Sequence, residues 1–136
     1  MKVSEEQVKK RIRDAGLRAT PQRIHLLRIL METPTHPSAE MLMTMSNESG
    51  FELSIGTVYN TLECFENKGL VIRVHDASEV MRYDAKTDFH VHLVDREHNV
   101  IMDFFDDKLE GIIKGHLKGK VPAEFSAKHI DISLYA

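Results

Sequence analysis

Residues 54–84, SIGTVYNTLECFENKGLVIRVHDASEVMRYD, change period in mid-course. In the first half Val58, Leu62 and Phe65 recur at helical spacing, with Ser54 as a capping residue in front and Gly69 behind. In the second half Leu70–His75 and Val80–Asp84 are short β-prone runs, and the turn-forming Asp76-Ala77-Ser78 lies between them, which predicts a hairpin. Upstream, Ser4-x-x-Gln7 has the form of a capping box for a first helix running to about Ala15, with Gly16 just past its end. Thr20-Pro21 opens a second helix, because Thr accepts from freed amides and Pro at the first helical position gives up no needed donor. Its predicted apolar face is Ile24, Leu27 and Met31. After the break Thr33–Pro37, Ser38 caps a third helix that is expected to turn Met41, Leu42 and Met45 inward and to end near Gly50. Several short helices followed by a hairpin form a winged helix-turn-helix, whose last helix is shaped to enter a DNA major groove.

Downstream of that hairpin the pattern predicts a second, smaller unit. Strands are expected at Phe89–Val94 and Val100–Phe104, a helix after Asp106-Asp107 carrying Leu109, Ile112, Ile113 and Leu117, and an alternating segment over Phe125–Tyr135 with Ile130, Ile132 and Leu134 on one face. The fold class is therefore α+β: a winged helix-turn-helix domain over 1–83, a hinge over 84–88, and a small α/β dimerisation and metal-sensing domain over 89–136. A unit of roughly 50 residues buries little core by itself, so it is expected to pair with a second copy.

Hydrophobic residues at 42% and charged residues at 29% of 136 are close to globular averages, which excludes a disordered tail. No apolar run approaches the roughly 20 residues that cross a bilayer, and MKVSEEQVKK has no signal core, so a cytoplasmic protein without a membrane partner is expected. The single Cys64 excludes an internal disulfide and a Cys-rich zinc knuckle, and is read as a small buried hydrophobe. The net charge of −3 hides an asymmetry. Residues 1–28 hold eight Lys/Arg against Glu5, Glu6 and Asp14, whereas from Asp84 onward ten Asp/Glu face seven Lys/Arg, alongside five of the eight histidines.

On the predicted fourth helix the inward stripe leaves Gly56, Thr57, Tyr59, Asn60 and Glu63 on the outer face. Asn pairs bidentately with adenine, and Thr or Tyr meets a thymine methyl or a phosphate. Arg18 and Arg23, at the start of the second helix, can grip phosphates or reach into a narrow minor groove. A merely solvated helix face accounts for the same residues. Separately, His90-x-His92 on a strand puts two imidazoles on one face. Asp84, Asp103 and His36 would complete a mixed N/O set suited to Fe2+ or Mn2+ and open to Zn2+. Taken alone, a His-x-His pair is by default read as structural or surface histidines.

Gly16-Leu17-Arg18-Ala19-Thr20-Pro21-Gln22-Arg23, His36-Pro37-Ser38-Ala39-Glu40, Gly56-Thr57-Val58-Tyr59-Asn60-Thr61-Leu62 and Gly69-Leu70-Val71 together resemble the ferric uptake regulator family, over nearly the whole chain. The resemblance implies a homodimeric, metal-activated repressor of iron-homeostasis or peroxide-stress genes that binds a pseudo-palindromic double-stranded operator. It implies a regulatory metal held by His36, Asp84, His90, His92 and Asp103, with Tyr59 touching bases and Arg18 touching the minor groove or backbone. Asn60 and Asp103 resemble the peroxide-sensing branch, in which His36 and His90 would be the oxidised residues. The chain departs from the family where a four-cysteine structural zinc is usual: Asp95 and His98 stand at the first pair and no cysteine closes the C-terminus. Dimer stability is then expected from Val94, Val100, Ile101, Met102, Ile112, Ile113, Ile130, Ile132 and Leu134. Of a second family site only Glu110 and His129 match, since Phe89 and Val91 occupy the other two positions. The rival readings are a small non-haem metalloenzyme built on His90 and His92, and a metal-independent winged-helix regulator.

Overall fold

The computed structural model describes residues 2–76, 78–86, 88–127 and 129–136. Ala77 of the expected turn and Thr87 of the expected hinge lie outside the described residues. Two compact units result, Met1–Thr87 and Asp88–Ala136.

In the first unit each helix begins where a side chain relieves the freed amides. Ser4 and Gln7 form the reciprocal capping box of α1 (Glu5–Asp14), and Gly16 past its end takes the left-handed φ of 84° that side chains disfavour. Thr20 accepts from the Arg23 amide at α2 (Pro21–Glu32), and Ser38 from the Met41 amide at α3 (Ala39–Glu48). At α4 (Ile55–Asn67) the exposed Ser54 accepts from the Thr57 amide at 3.2 Å. Ser54→Ala, which deletes that acceptor without touching the core, is expected to lower stability by about 1 kcal/mol in a urea titration.

The helices close on one cluster in which Val8, Ile12, Leu26, Leu27, Leu42, Val58, Leu62 and Phe65 are fully buried. Two expectations need correction. In α3 the inward positions are Ala39, Leu42 and Ser46, so Met41 is 40% exposed and Met45 only half-buried. Ser46 can point inward because its hydroxyl donates to the Phe51 carbonyl at 2.6 Å. In α2 Leu26 and Leu30 join Ile24 and Leu27 inside, and Met31 is only partly covered, because α2 packs against both α1 and α3. Cys64 is likewise half-buried rather than buried. The hairpin pairs β1 (Ile72–His75) with β2 (Met81–Asp84) in the register Ile72↔Asp84 to His75↔Met81. Arg11, counted with the basic N-terminal end, turns inward and donates to the carbonyls of Leu70 and Ala85 at either end of this hairpin.

The second unit is a three-stranded sheet in the order β4-β3-β5. β3 (Val91–Asp95) runs antiparallel to β4 (Val100–Phe104), while β5 (Ile132–Tyr135) returns parallel to β3 after α5 (Leu109–Leu117). Asp106 accepts from the amides of Lys108 and Leu109 and so opens α5. The expected long final strand is confined to Ile132–Tyr135, and Phe125 is 64% exposed. Of the apolar side chains expected to stabilise a dimer, Val94 is already buried within the single chain. Val100, Met102, Ile112 and Leu134 are each more than two-fifths exposed and α5 buries nothing, since one three-stranded sheet has too few layers to cover both faces. Among the described residues no helix is long and apolar enough to cross a membrane.

Candidate functional site

The outward face of α4 is the first candidate. Gly56, Tyr59, Asn60 and Glu63 are exposed there, opposite the buried stripe Val58, Leu62 and Phe65. Arg18, Arg23, Thr57 and Asn60 line one cleft of about 370 Å³, with Thr61 and Cys64 at its side. With Thr20 and Gln22 also on its wall, two guanidinium groups, three hydroxyls and two carboxamides in one open cleft offer donors suited to phosphodiester oxygens. Arg23 does not extend freely into it. One of its nitrogens donates to the Arg18 carbonyl at 3.0 Å and another lies 3.8 Å from Cys64 Sγ, so this side chain braces the Arg18 backbone against α4.

Tyr59 is not among the residues lining that cleft; its hydroxyl donates to Glu40 Oε1 at 2.8 Å. The bond holds the Glu40 carboxyl below its ordinary range and pushes the phenol up. Sequence reading assigned Glu40 no partner, because its link to Tyr59 depends on how α3 packs on α4.

The imidazoles and carboxylates fall into two sets, one in each unit. In Met1–Thr87, His36 sits in the loop before α3 and Asp84 closes β2, at the end of the β-prone run expected there. His36 Nε2 is 3.2 Å from Asp84 Oδ2, and both residues are buried. The loop is laid along β2: Tyr83 N donates to the Pro37 carbonyl at 3.0 Å and Arg82 Nη1 to the His36 carbonyl at 3.1 Å.

In Asp88–Ala136 the strand alternation brings His90 and His92 together, their Nε2 atoms 3.0 Å apart. Asp103 stands opposite His92 in the β3–β4 ladder, with Oδ1 at 3.5 Å from His90 Nε2 and 3.8 Å from His92 Nε2. His90 Nδ1 lies 2.7 Å from the Asp88 carbonyl, which can only accept. In the neutral ring Nδ1 therefore carries the proton and the Nε2 lone pair is directed at His92 and Asp103, the tautomer that a metal requires. Buried carboxylates beside imidazole lone pairs are costly without a cation, and this N/O chemistry fits a divalent first-row metal.

Glu110 and His129 behave differently. Glu110 pairs with Lys114 at 3.2 Å along α5, and the exposed His129 contacts Asp131. Among the described residues no third donor gathers with them to make a metal-holding group. Val91 is buried and Phe89 half-buried.

Residues 14–135 match the ferric uptake regulator family. Over 93 residues, 68% of this chain, the sequence is 33% identical to the peroxide-responsive repressor PerR of Staphylococcus aureus, and the matched stretch spans 63% of that relative's length. Among solved structures, the ferric uptake regulator of Pseudomonas aeruginosa with manganese has a TM-score of 0.77 at 27% identity, covering 94% of this chain and 95% of the other. The Vibrio cholerae ferric uptake regulator has a TM-score of 0.71, also at 27% identity, with 94% and 97% covered.

Proposed function

Because the chain belongs to the ferric uptake regulator family, we propose that it is a metal-dependent transcriptional repressor that binds operator DNA as a homodimer, and not an enzyme. Residues 1–83 would read DNA, 84–88 would act as a hinge, and 89–136 would dimerise and sense metal. Arg18, Thr57, Tyr59 and Asn60 would contact the operator, with Arg23 holding Arg18 in place. The apolar side chains left uncovered on β4, α5 and β5 support pairing with a second copy.

The observation that carries this reading is the divided donor set. His36 and Asp84 make two donors in one unit, and His90, His92 and Asp103 make three in the other. Neither set completes the shell of a divalent first-row cation, whereas all five acting together would. Fe2+ and Mn2+ suit this mixture of nitrogen and oxygen donors, and Zn2+ is also accommodated. If His36, Asp84, His90, His92 and Asp103 held one cation together, its charge would supply an attraction that favours one arrangement of the two domains over the others. The residues do the rest: the Asp88 carbonyl keeps His90 in its ligating tautomer, and β2 holds the His36 loop.

The test titrates Mn2+ into metal-free protein while following a fluorescent duplex selected from random sequence by the Mn2+-loaded protein. Affinity is expected to rise about 5–150-fold, the usual span of an allosteric coupling. Binding that ignores Mn2+ overturns the reading. The PerR of Staphylococcus aureus is peroxide-responsive, so the Fe2+-loaded protein is also exposed to peroxide. Oxygen added at His36 or His90, found by mass spectrometry, assigns this chain to the peroxide-responsive branch, and its absence assigns the chain to iron sensing.

A further inference from the structure

β2 grips the His36 segment at two points. Asp84 meets the imidazole, and Arg82, two residues earlier on the same strand face, donates from Nη1 to the His36 carbonyl at 3.1 Å. The second edge of that guanidinium is also used, since Nε donates to Asp76 Oδ2 at 3.1 Å. Asp76 is the residue around which the hairpin tip is built. Its other oxygen accepts from the Ser78 amide at 2.8 Å, the Ser78 hydroxyl at 2.8 Å and the Val80 amide at 2.9 Å. The Asp76 side chain is 1% exposed and that of Arg82 14%. Burial works against ionisation of Asp76, but the bonds from Ser78, Val80 and Arg82 outweigh it and hold the carboxyl below its ordinary range.

We infer that Arg82 is a positioning residue that ties the His36 segment to the tip of the wing hairpin, so that capture of a cation at His36 and the ordering of that tip are coupled. A planar guanidinium can do this because its donors leave in two directions, one toward a backbone carbonyl and one toward a carboxylate. The inference deepens the regulatory reading and rests on it for the cation, but the Asp76–Arg82–His36 link belongs to this chain whether or not metal is its signal. It gives the hairpin that follows α4 a direct mechanical share in the metal site.

The test uses the full chain and amide hydrogen exchange. The Tyr83 amide, which donates to the Pro37 carbonyl, reports docking of the His36 loop on β2, and the Val80 amide reports the tip. Two variants break the link from opposite ends. Arg82→Met removes the guanidinium, and Asp76→Asn keeps an oxygen for Ser78 and Val80 while losing the charged partner of Arg82. Asp76→Asn also serves if Arg82→Met fails to fold. In metal-free protein both variants are expected to speed exchange at Tyr83 about tenfold relative to the other β1–β2 amides. In the native chain Mn2+ should slow exchange at Val80; in the variants that response should vanish and Mn2+ affinity should fall about 10–100-fold. A residue that only stabilised the hairpin would change protection without abolishing its response to Mn2+. Unchanged Tyr83 exchange in both variants, or a Val80 response to Mn2+ equal to that of the native chain, overturns the inference. If His36→Ala leaves Mn2+ affinity unaltered, the regulatory reading fails instead, and the metal-free Tyr83 comparison alone decides the Arg82 link.

Discussion

Alanine in place of His90 is expected to erase the metal response of DNA binding while leaving the fold of the DNA-reading unit intact. His90 Nε2 is the donor whose tautomer is set by a backbone carbonyl, and it lies within 3.5 Å of both His92 Nε2 and Asp103 Oδ1. Removing it leaves one imidazole, His92, and one carboxylate, Asp103, in that donor set. Losing an outer-shell partner already costs about 10–100-fold in metal affinity, so loss of a ligand costs more. At a fixed Mn2+ concentration that saturates the native protein, His90→Ala should bind the selected duplex with the affinity of metal-free protein, about 5–150-fold weaker than the native complex. His36→Ala should do the same from the other unit. Glu110→Ala and His129→Ala, whose side chains answer to Lys114 and Asp131, should keep the full response. Fluorescence anisotropy with and without Mn2+ measures all four. A duplex affinity that still rises with Mn2+ in both His36→Ala and His90→Ala removes these residues from the switch.

The parts of this architecture that are local in the chain are legible in the sequence. Ser4, Thr20, Ser38 and Ser54 each cap the helix expected of them, because a cap needs only a hydroxyl and an amide three residues away. Val58, Leu62 and Phe65 are inward because α4 is covered on one side only, which a single stripe describes. Helix α2 is covered from two sides, so a single stripe finds Ile24 and Leu27 but misses Leu26 and Leu30. Met41 misleads for a related reason: an apolar thioether carries no mark of which face it occupies. The parallel pairing of β5 with β3 joins strands nearly 40 residues apart, and no local pattern announces it. The site divides in the same way. His90, His92 and Asp103 follow from strand alternation and a neighbouring strand. The His36–Asp84 contact joins residues at opposite ends of the winged helix's second half: composition offers both as donors, but no local spacing brings them together, and the family resemblance is what singles them out. The roles of Glu40 and Arg82 depend on how elements pack and left no trace in spacing.

Truncating Phe65 to alanine is expected to give the largest loss of stability of any single change considered for this chain. Its ring is fully buried and heads the largest side chains in the core of the first unit, with Val58 and Leu62 along the same helix face. Phe→Ala at such a site typically costs 3–5 kcal/mol, since transfer free energy is lost and the surrounding helices collapse only partly into the void. A domain of this size has about 5–15 kcal/mol in total, so the variant should unfold at much lower urea and leave a sizeable unfolded fraction on warming. The site lies on the opposite side of α4 from Tyr59 and Asn60, so whatever DNA affinity the folded fraction retains separates loss of the scaffold from loss of a contact. Phe125→Ala is the matched control: its ring is 64% exposed, and a change within about 0.5 kcal/mol is expected. Far-UV circular dichroism follows the relevant transition, because among the described residues four of the five helices belong to the first unit. Equal urea midpoints for the two variants would mean that α4 is not held by this cluster, and that the recognition face has some other support.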